Sequence, residues 1–103
     1  MSNDSQRYTV IVQDNAKRMI YGHIRFVAKV SVLASRKLRC TLYEAIASLG
    51  NMPFRCPEYP MRNTSKIYHQ LIVGRYKIIF SINANDMSVN VRYILDSRRE
   101  YDL

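Results

Sequence analysis

The spacing of apolar positions changes twice along this chain, and each change marks a new kind of element. Tyr8 to Gln13 (YTVIVQ) is a run of β-branched and aromatic residues, which suits a pleated, buried surface and predicts a first strand. Asp14 or Asn15 then offers a helix N-cap. From Ala16 to about Val30 the period is helical. Ala16, Ile20, Ile24 and Val27 make one stripe, flanked by Met19, His23, Phe26 and Val30, while Arg18, Arg25 and Lys29 fall on another face. A second helix is predicted from near Ser31, because Ala34, Leu38, Leu42, Ala45 and Leu49 step by four, four, three and four. Gly50 stands where a C′ glycine belongs, and Pro53 prevents the helix from resuming. Two consecutive helices with matching stripes predict a helical hairpin.

Asn51 to Lys66 reads as a loop. It holds all three prolines, Pro53, Pro57 and Pro60, together with Arg55, Arg62 and Lys66. Its length is unusual for a compact domain. Beyond it the period becomes that of strands: Ile67 to Val73, Tyr76 to Ile82 and Met87 to Leu95. Gly74-Arg75 fits a two-residue hairpin and Asn83 to Asp86 a second turn. Alternation puts Tyr76, Ile78, Phe80 and Ile82 on one face, and Val89, Val91, Tyr93 and Leu95 on one face of the last strand. The order is β-α-α-β-β-β, an α+β fold in which a helix hairpin packs on a mostly antiparallel meander.

Composition limits what such a fold can be. A chain of 103 residues with 48% hydrophobic positions is expected to be a single domain, residues 1–103, with one core. No run approaches the ~18 apolar residues of a membrane span, so no membrane partner is expected. Met1 to Arg7 is polar and lacks a hydrophobic leader core, so a cytosolic protein is expected. Sixteen Lys and Arg stand against eight Asp and Glu, for a formal charge of +8. That surplus draws polyanions: nucleic acid, an acidic protein or anionic lipid. Cys40 and Cys56 lie far apart with no metal-ligand spacing, and only His23 and His69 could join them. A disulfide or two idle thiols both satisfy the count, and a reducing cytosol favours thiols. No metal and no cofactor are expected.

Catalytic signatures such as G-x-S-x-G, H-E-x-x-H or a phosphate-binding glycine loop are absent. What remains is positive charge near strand ends. Arg75 sits in a turn, Lys77 follows it on the strand face opposite Tyr76 and Ile78, and Arg98-Arg99 with Glu100 and Tyr101 follow the last strand. A metal-free ribonuclease uses such parts: a base for the 2′-hydroxyl, an acid for the leaving oxygen, and cations for the pentacovalent phosphate. The bland alternative is a solvated chain end. His69 alternates with Ile67, Leu71 and Val73, which favours a structural imidazole over a catalytic one, and His23 sits in an apolar stripe. Tyr76, Phe80 and Tyr93 have the spacing of a sheet core.

Taken together, the opening YTVIV, the hairpin closing IASLGNMPFR (Ile46 to Arg55), the strand pair YHQLIVGRYKIIF (Tyr68 to Phe80) and the ending VRYILDSRRE (Val91 to Glu100) resemble the RelE/ParE superfamily of toxins from type II toxin–antitoxin pairs. The resemblance spans Tyr8 to Tyr101. It implies a helix hairpin on a curved, mostly antiparallel sheet, growth arrest by the free protein, and neutralisation by a cognate antitoxin protein. It also implies contact with promoter DNA only through the antitoxin complex. RelE-like members cut mRNA on the ribosome, and ParE-like members inhibit DNA gyrase.

Residue by residue, the match is mixed. The arginine of the RelE pattern after the strand's Gly-Tyr falls at Lys77. Its basic residue after the last strand falls at Arg98 or Arg99, and its late tyrosine has only Tyr101 as counterpart, several residues early. The lysine pair of the preceding strand falls at His69 and Leu71 and is missing. That absence and the ASLGNMP closing lean to a ParE-like gyrase inhibitor. The second expectation is a ribosome-dependent endoribonuclease using Lys77, Arg98, Arg99, Tyr101 and His69, and the third is a harmless nucleic-acid-binding module. Arg75, Arg98, Arg99, Arg62, Arg18 and Arg25 are the expected contacts to an acidic partner.

Overall fold

The computed structural model describes residues 7–101 and 103. The leaderless reading of Met1 to Arg7 therefore lies, for its first six residues, outside the described residues. The chain runs β1 (Thr9–Val12), α1 (Asp14–Ala28), α2 (Val32–Ser48), β2 (Glu58–Tyr59), β3 (Tyr68–Val73), β4 (Tyr76–Asn83) and β5 (Ser88–Asp96). The strands form one sheet in the order β1-β5-β4-β3-β2. Among the described strands the β1–β5 pair alone is parallel; the helix hairpin carries the chain from β1 at one edge to β2 at the other, and β3, β4 and β5 then return by antiparallel pairing. The α+β architecture expected from the pattern holds, with one strand added. The proline-rich segment is less irregular than its composition suggests: it contains a 3-10 turn, Pro53–Arg55, and the two-residue edge strand β2.

Local chemistry sets the helix ends. Ser31 caps α2 by accepting from the Ala34 amide at 3.1 Å. Neither Asp14 nor Asn15 caps α1. The cap position is Gln13, Asp14 sits in the first turn where the helix dipole favours an acid, and Asn15 instead donates to the Arg92 carbonyl at 3.3 Å. Gly50 does stand at C′, one residue past the Leu49 cap of α2, but the left-handed glycine is Gly74 in the β3–β4 turn, at φ 59°. At Gly50 the constraint is crowding. The Tyr8 amide donates to the Gly50 carbonyl at 2.9 Å, and a Cβ there would lie 3.2 Å from the Tyr8 carbonyl and 3.1 Å from the Arg7 guanidinium. A side chain would push apart the end of α2 and the start of β1.

One core lies between helices and sheet: Ala16, Ile20, Leu42, Ile46 and Leu49 pack on Tyr76, Ile78, Phe80, Val89, Val91 and Ile94. A smaller cluster covers the sheet's other face, where Tyr68, Ile79 and Leu95 are buried beneath Tyr59, Met61, Tyr93, Tyr101 and Leu103. The expected face of the last strand is overturned here. Between β4 and β5 the register steps from Phe80↔Val91 to Ile79↔Tyr93, which leaves Arg92 as an extra, unpaired residue. Such a bulge reverses the alternation beyond it. Val89, Val91 and Ile94 therefore face the helices, and Tyr93 and Leu95 face away.

Two glycines test this packing in opposite directions. Gly50→Ala should destabilise the chain by about 1–3 kcal/mol through overpacking. Gly22, exposed inside α1 with nothing within 4 Å of a Cβ, should gain about 0.5–1 kcal/mol on substitution by Ala. Thermal unfolding of both variants measures the contrast; a Gly50→Ala protein as stable as the parent contradicts the close approach.

Candidate functional site

The face of the sheet away from the helices collects the polar and aromatic groups that the core cannot use. Lys77 is here, opposite Leu95 in register, with its ammonium 6.0 Å from the centre of the Tyr59 ring. On β5 the Arg92 guanidinium lies 5.6 Å from the Tyr93 ring. Tyr59, Arg62 and Tyr101 line a groove of about 250 Å³ beside them. Across Tyr101 a second groove, of about 410 Å³, runs along α1 and carries Arg25, Lys29 and Arg99. Tyr101 is therefore the wall between two cationic grooves.

The C-terminal tail that carries Tyr101 is held by Asp96. This carboxylate is 3% exposed and accepts from the Arg98 amide at 3.0 Å, its Nε at 3.3 Å and its Nη2 at 3.1 Å. The Arg98 hydrogen bonds, more than any other influence, hold the Asp96 carboxyl below its ordinary range despite its burial. The Asp96 amide in turn donates to the Tyr101 phenol at 3.1 Å, and the Ser97 amide donates to the Arg75 carbonyl at 2.7 Å. One strand end thus places Arg75, Arg98, Arg99 and Tyr101 together. On the helix side, burial raises the Tyr76 phenol, with the neighbouring Asp96 adding to the effect.

The two arginines that sequence treats as a pair have different surroundings. Arg98 is folded back on Asp96 and serves the tail. Arg99 reaches across to α1, its guanidinium 5.6 Å from the Phe26 ring, and faces the larger groove. Lys77, Arg62, Arg99, Arg25 and Tyr101 are brought to one end of the molecule. Arg18 is exposed on α1 one turn before Gly22, on the same helix face but outside the groove itself.

His69 does not join them. Its strand position points it into the core, where it is 8% exposed. Its Nδ1–H donates to the Cys56 carbonyl at 2.9 Å and its ring stacks on Phe80 at 5.7 Å, so the sheet separates it from Lys77. His23 likewise donates through Nε2 to the Ile94 carbonyl, at 2.6 Å. Cys40 is exposed and Cys56 buried, both as free thiols. Sequence reasoning missed Tyr59 and Arg92. Tyr59 sits among prolines without a strand pattern, and Arg92 is displaced by a bulge that alternation does not reveal.

This arrangement of a helix hairpin on a five-stranded mixed sheet is the fold of RelE-type toxin–antitoxin proteins. Two solved structures share it. One is a chain of the toxin–antitoxin complex RelBE2 from Mycobacterium tuberculosis, 20% identical, with 85% of this chain and 95% of that chain covered at a TM-score of 0.56. The other is a chain of the archaeal RelE-RelB complex from Pyrococcus horikoshii OT3, 14% identical, with 91% and 99% covered at a TM-score of 0.59. No protein-family profile matches the chain, and no curated protein matches it either. Among the described residues no helix is long and apolar enough to cross a membrane.

The Asp96 clamp has a pH signature. A carboxyl depressed in the folded chain contributes stability above its unfolded value, ordinarily 3.8, and loses it as pH falls through the lower folded value. Acid unfolding of the parent should therefore steepen below pH 3.8, and Asp96→Asn should remove that part of the curve while lowering Tm at pH 7 by about 4–8 °C. Identical acid limbs for the two proteins would show that the clamp is not held by charge.

Proposed function

We propose that this chain is the toxin of a type II toxin–antitoxin pair and that it cuts mRNA at the ribosome, acting in the cytoplasm as one domain without metal or cofactor. The observation that carries the reading is the gathering of Lys77, Arg62, Arg99 and Tyr101 around one sheet end. The two similar structures named above are RelB–RelE assemblies, which favours the mRNA-cutting branch over gyrase inhibition.

The chemistry assigned to these groups follows from their geometry. The Tyr101 oxygen accepts from the Asp96 amide, so its own proton is left to point elsewhere. That suits it to donate to a phosphate oxygen or to the leaving 5′-oxygen. Lys77 and Arg99 stabilise the charge that builds on the phosphorane. Tyr59 and Tyr93 supply ring faces on which unstacked bases can rest. Lys77 offers a point charge where an arginine would offer a fork, so its grip on phosphate is less directional.

The neutralising partner is a cognate antitoxin. Exposed apolar side chains support a covering protein: Val30, Val32 and Leu33 crowd the helix-hairpin tip, and Ile72 stands out from β3. Contact with promoter DNA would come through that complex. A second reading, gyrase inhibition, keeps one observation in its favour. Facing away from the helices, β3 presents Tyr68, Gln70 and Ile72 and no cation.

Primer extension on mRNA in a translating extract separates the two. Cleavage should appear with the parent chain and fall by about 10²-fold or more in Tyr101→Phe and in Lys77→Ala, while His69→Gln keeps it in whatever fraction remains folded. Intact mRNA together with blocked gyrase supercoiling would replace this reading by the other.

A further inference from the structure

The larger groove, between α1 and the C-terminal tail, is not accounted for by the fold or by the reaction proposed above. Its floor is Gly22, a helix-interior residue whose Cβ would meet nothing. Glycine costs about 0.5–1 kcal/mol there relative to alanine, and no positive φ or close packing requires it. Its effect is to leave α1 bare at that turn. Around the bare turn stand Arg25, Lys29 and Arg99, and among the described residues no acidic side chain lines the groove. The helix dipole accounts for cations at Arg25, in the last turn, and at Lys29, the C-cap. It does not account for Gly22, nor for Arg99 reaching in from the tail.

The charge is drawn out along the helix. Arg18, Gly22, Arg25 and Lys29 step by four, three and four, one stripe that rises about 16 Å. A single phosphate would be met by cations converging on a point; this stripe suits an extended polyanion. Two exposed rings on the same helix are already paired with guanidinium planes, Tyr21 with Arg25 at 5.6 Å and Phe26 with Arg99 at 5.6 Å. Such flat π and cationic surfaces are those on which single-stranded bases stack. An acidic peptide would use the charges but not the rings.

We propose that the α1 groove seats the backbone of single-stranded RNA, with Arg25, Lys29 and Arg99 on phosphates and Gly22 admitting the strand against the helix. The inference rests on the mRNA reading and extends it. Because Tyr101 walls both grooves, a strand held along α1 passes the phenol on its way to Arg62 and Lys77. Arg25 and Lys29 are positioning residues: they set where the strand lies, and the reacting phosphate sits past them at the Tyr101 wall, where Arg99 of this groove can reach it.

The test is binding of a fluorescein-labelled single-stranded RNA dodecamer to the purified full chain across a salt series. Each phosphate contact on a single strand contributes roughly 0.7 to the slope of log affinity against log salt. The Arg25→Gln, Lys29→Gln double variant should therefore flatten the slope by about 1.4. Arg36→Gln with Arg39→Gln, which removes the same charge from the exposed surface of α2, should leave it unchanged. Gly22→Leu keeps every charge and favours the helix, yet it should weaken binding about tenfold with Tm no lower than the parent's. Equal slopes for the two double variants, or parent-like RNA affinity in Gly22→Leu, would overturn the proposal. So would a Glu-rich twenty-residue peptide whose binding alone depends on Arg25 and Lys29, since the groove would then be a protein seat. No arm of this experiment reads cleavage. RNA that is bound through the groove but left uncut in a translating extract counts against the catalytic reading and not against this one.

Discussion

Arg92 has no partner on β4, and both faces of the sheet depend on that gap. Before it, β5 sends Val89 and Val91 toward the helices; after it, Ile94 takes that role and Tyr93 and Leu95 turn outward. A bulge costs ladder hydrogen bonds and adds twist. In exchange a single nine-residue strand serves a helix-covered core and a second aromatic cluster. Without the bulge, Tyr93 and Leu95 would be driven into a core already filled by Ile78 and Phe80, and Ile94 would be exposed. Interiors at close packing do not absorb such an exchange cheaply. The bulge also frees the Arg92 carbonyl to accept from Asn15, which ties the start of α1 to the same point.

From the bulge the consequences pass to the tail. With Ile94 inward, its carbonyl meets His23 of α1, and two residues later Asp96 is buried at the strand end. A buried carboxylate without partners would be costly. Three donors from Arg98 satisfy it, and the chain reverses tightly enough for Tyr101 to return to the Asp96 amide. The tail's position is thus a consequence of hydrogen-bond satisfaction rather than of any helix or strand of its own. Among the described residues Asp96–Arg98 is the one ion pair, so most of the chain's positive charge is left unneutralised by the fold.

Periodicity carried most of the architecture. The stripes of α1 and α2 and the alternation of β4 map directly onto buried positions, because those elements are regular and each buries one face. The order of elements, the Gly74 turn and the placement of Lys77 opposite Ile78 were legible for the same reason. Three features were not. The two-residue strand β2 is too short to show a period and is recruited by β3, whose Tyr68 and His69 pair with it. The reversal of β5 arises from one inserted residue that composition does not mark. Gly50 follows the helix end as its position suggested, but its second constraint, the approach of Tyr8 from far away in sequence, leaves no mark in the pattern. The candidate site suffered in the same way. Arg98 and Arg99 are adjacent in the chain, and only three-dimensional context sends one to a carboxylate and the other to an aromatic ring.

That separation matters for how the charge is used. An arginine held by a carboxylate is rigid but already neutralised; an arginine held by a ring keeps its full charge and its donors. The Phe26 face positions Arg99 without satisfying it, just as Tyr59 does for Lys77 and Tyr21 for Arg25. Three of the cations nearest the grooves are thus steadied by aromatic faces, and the carboxylate is reserved for the residue that builds the tail. Aromatic support orders a long side chain while leaving its hydrogen-bonding capacity for a ligand, so less rotamer entropy remains to be lost when an anion arrives. A surface arranged this way resembles a preorganised receptor for phosphates more than a merely soluble basic face, on which neighbouring carboxylates would have quenched the same charges.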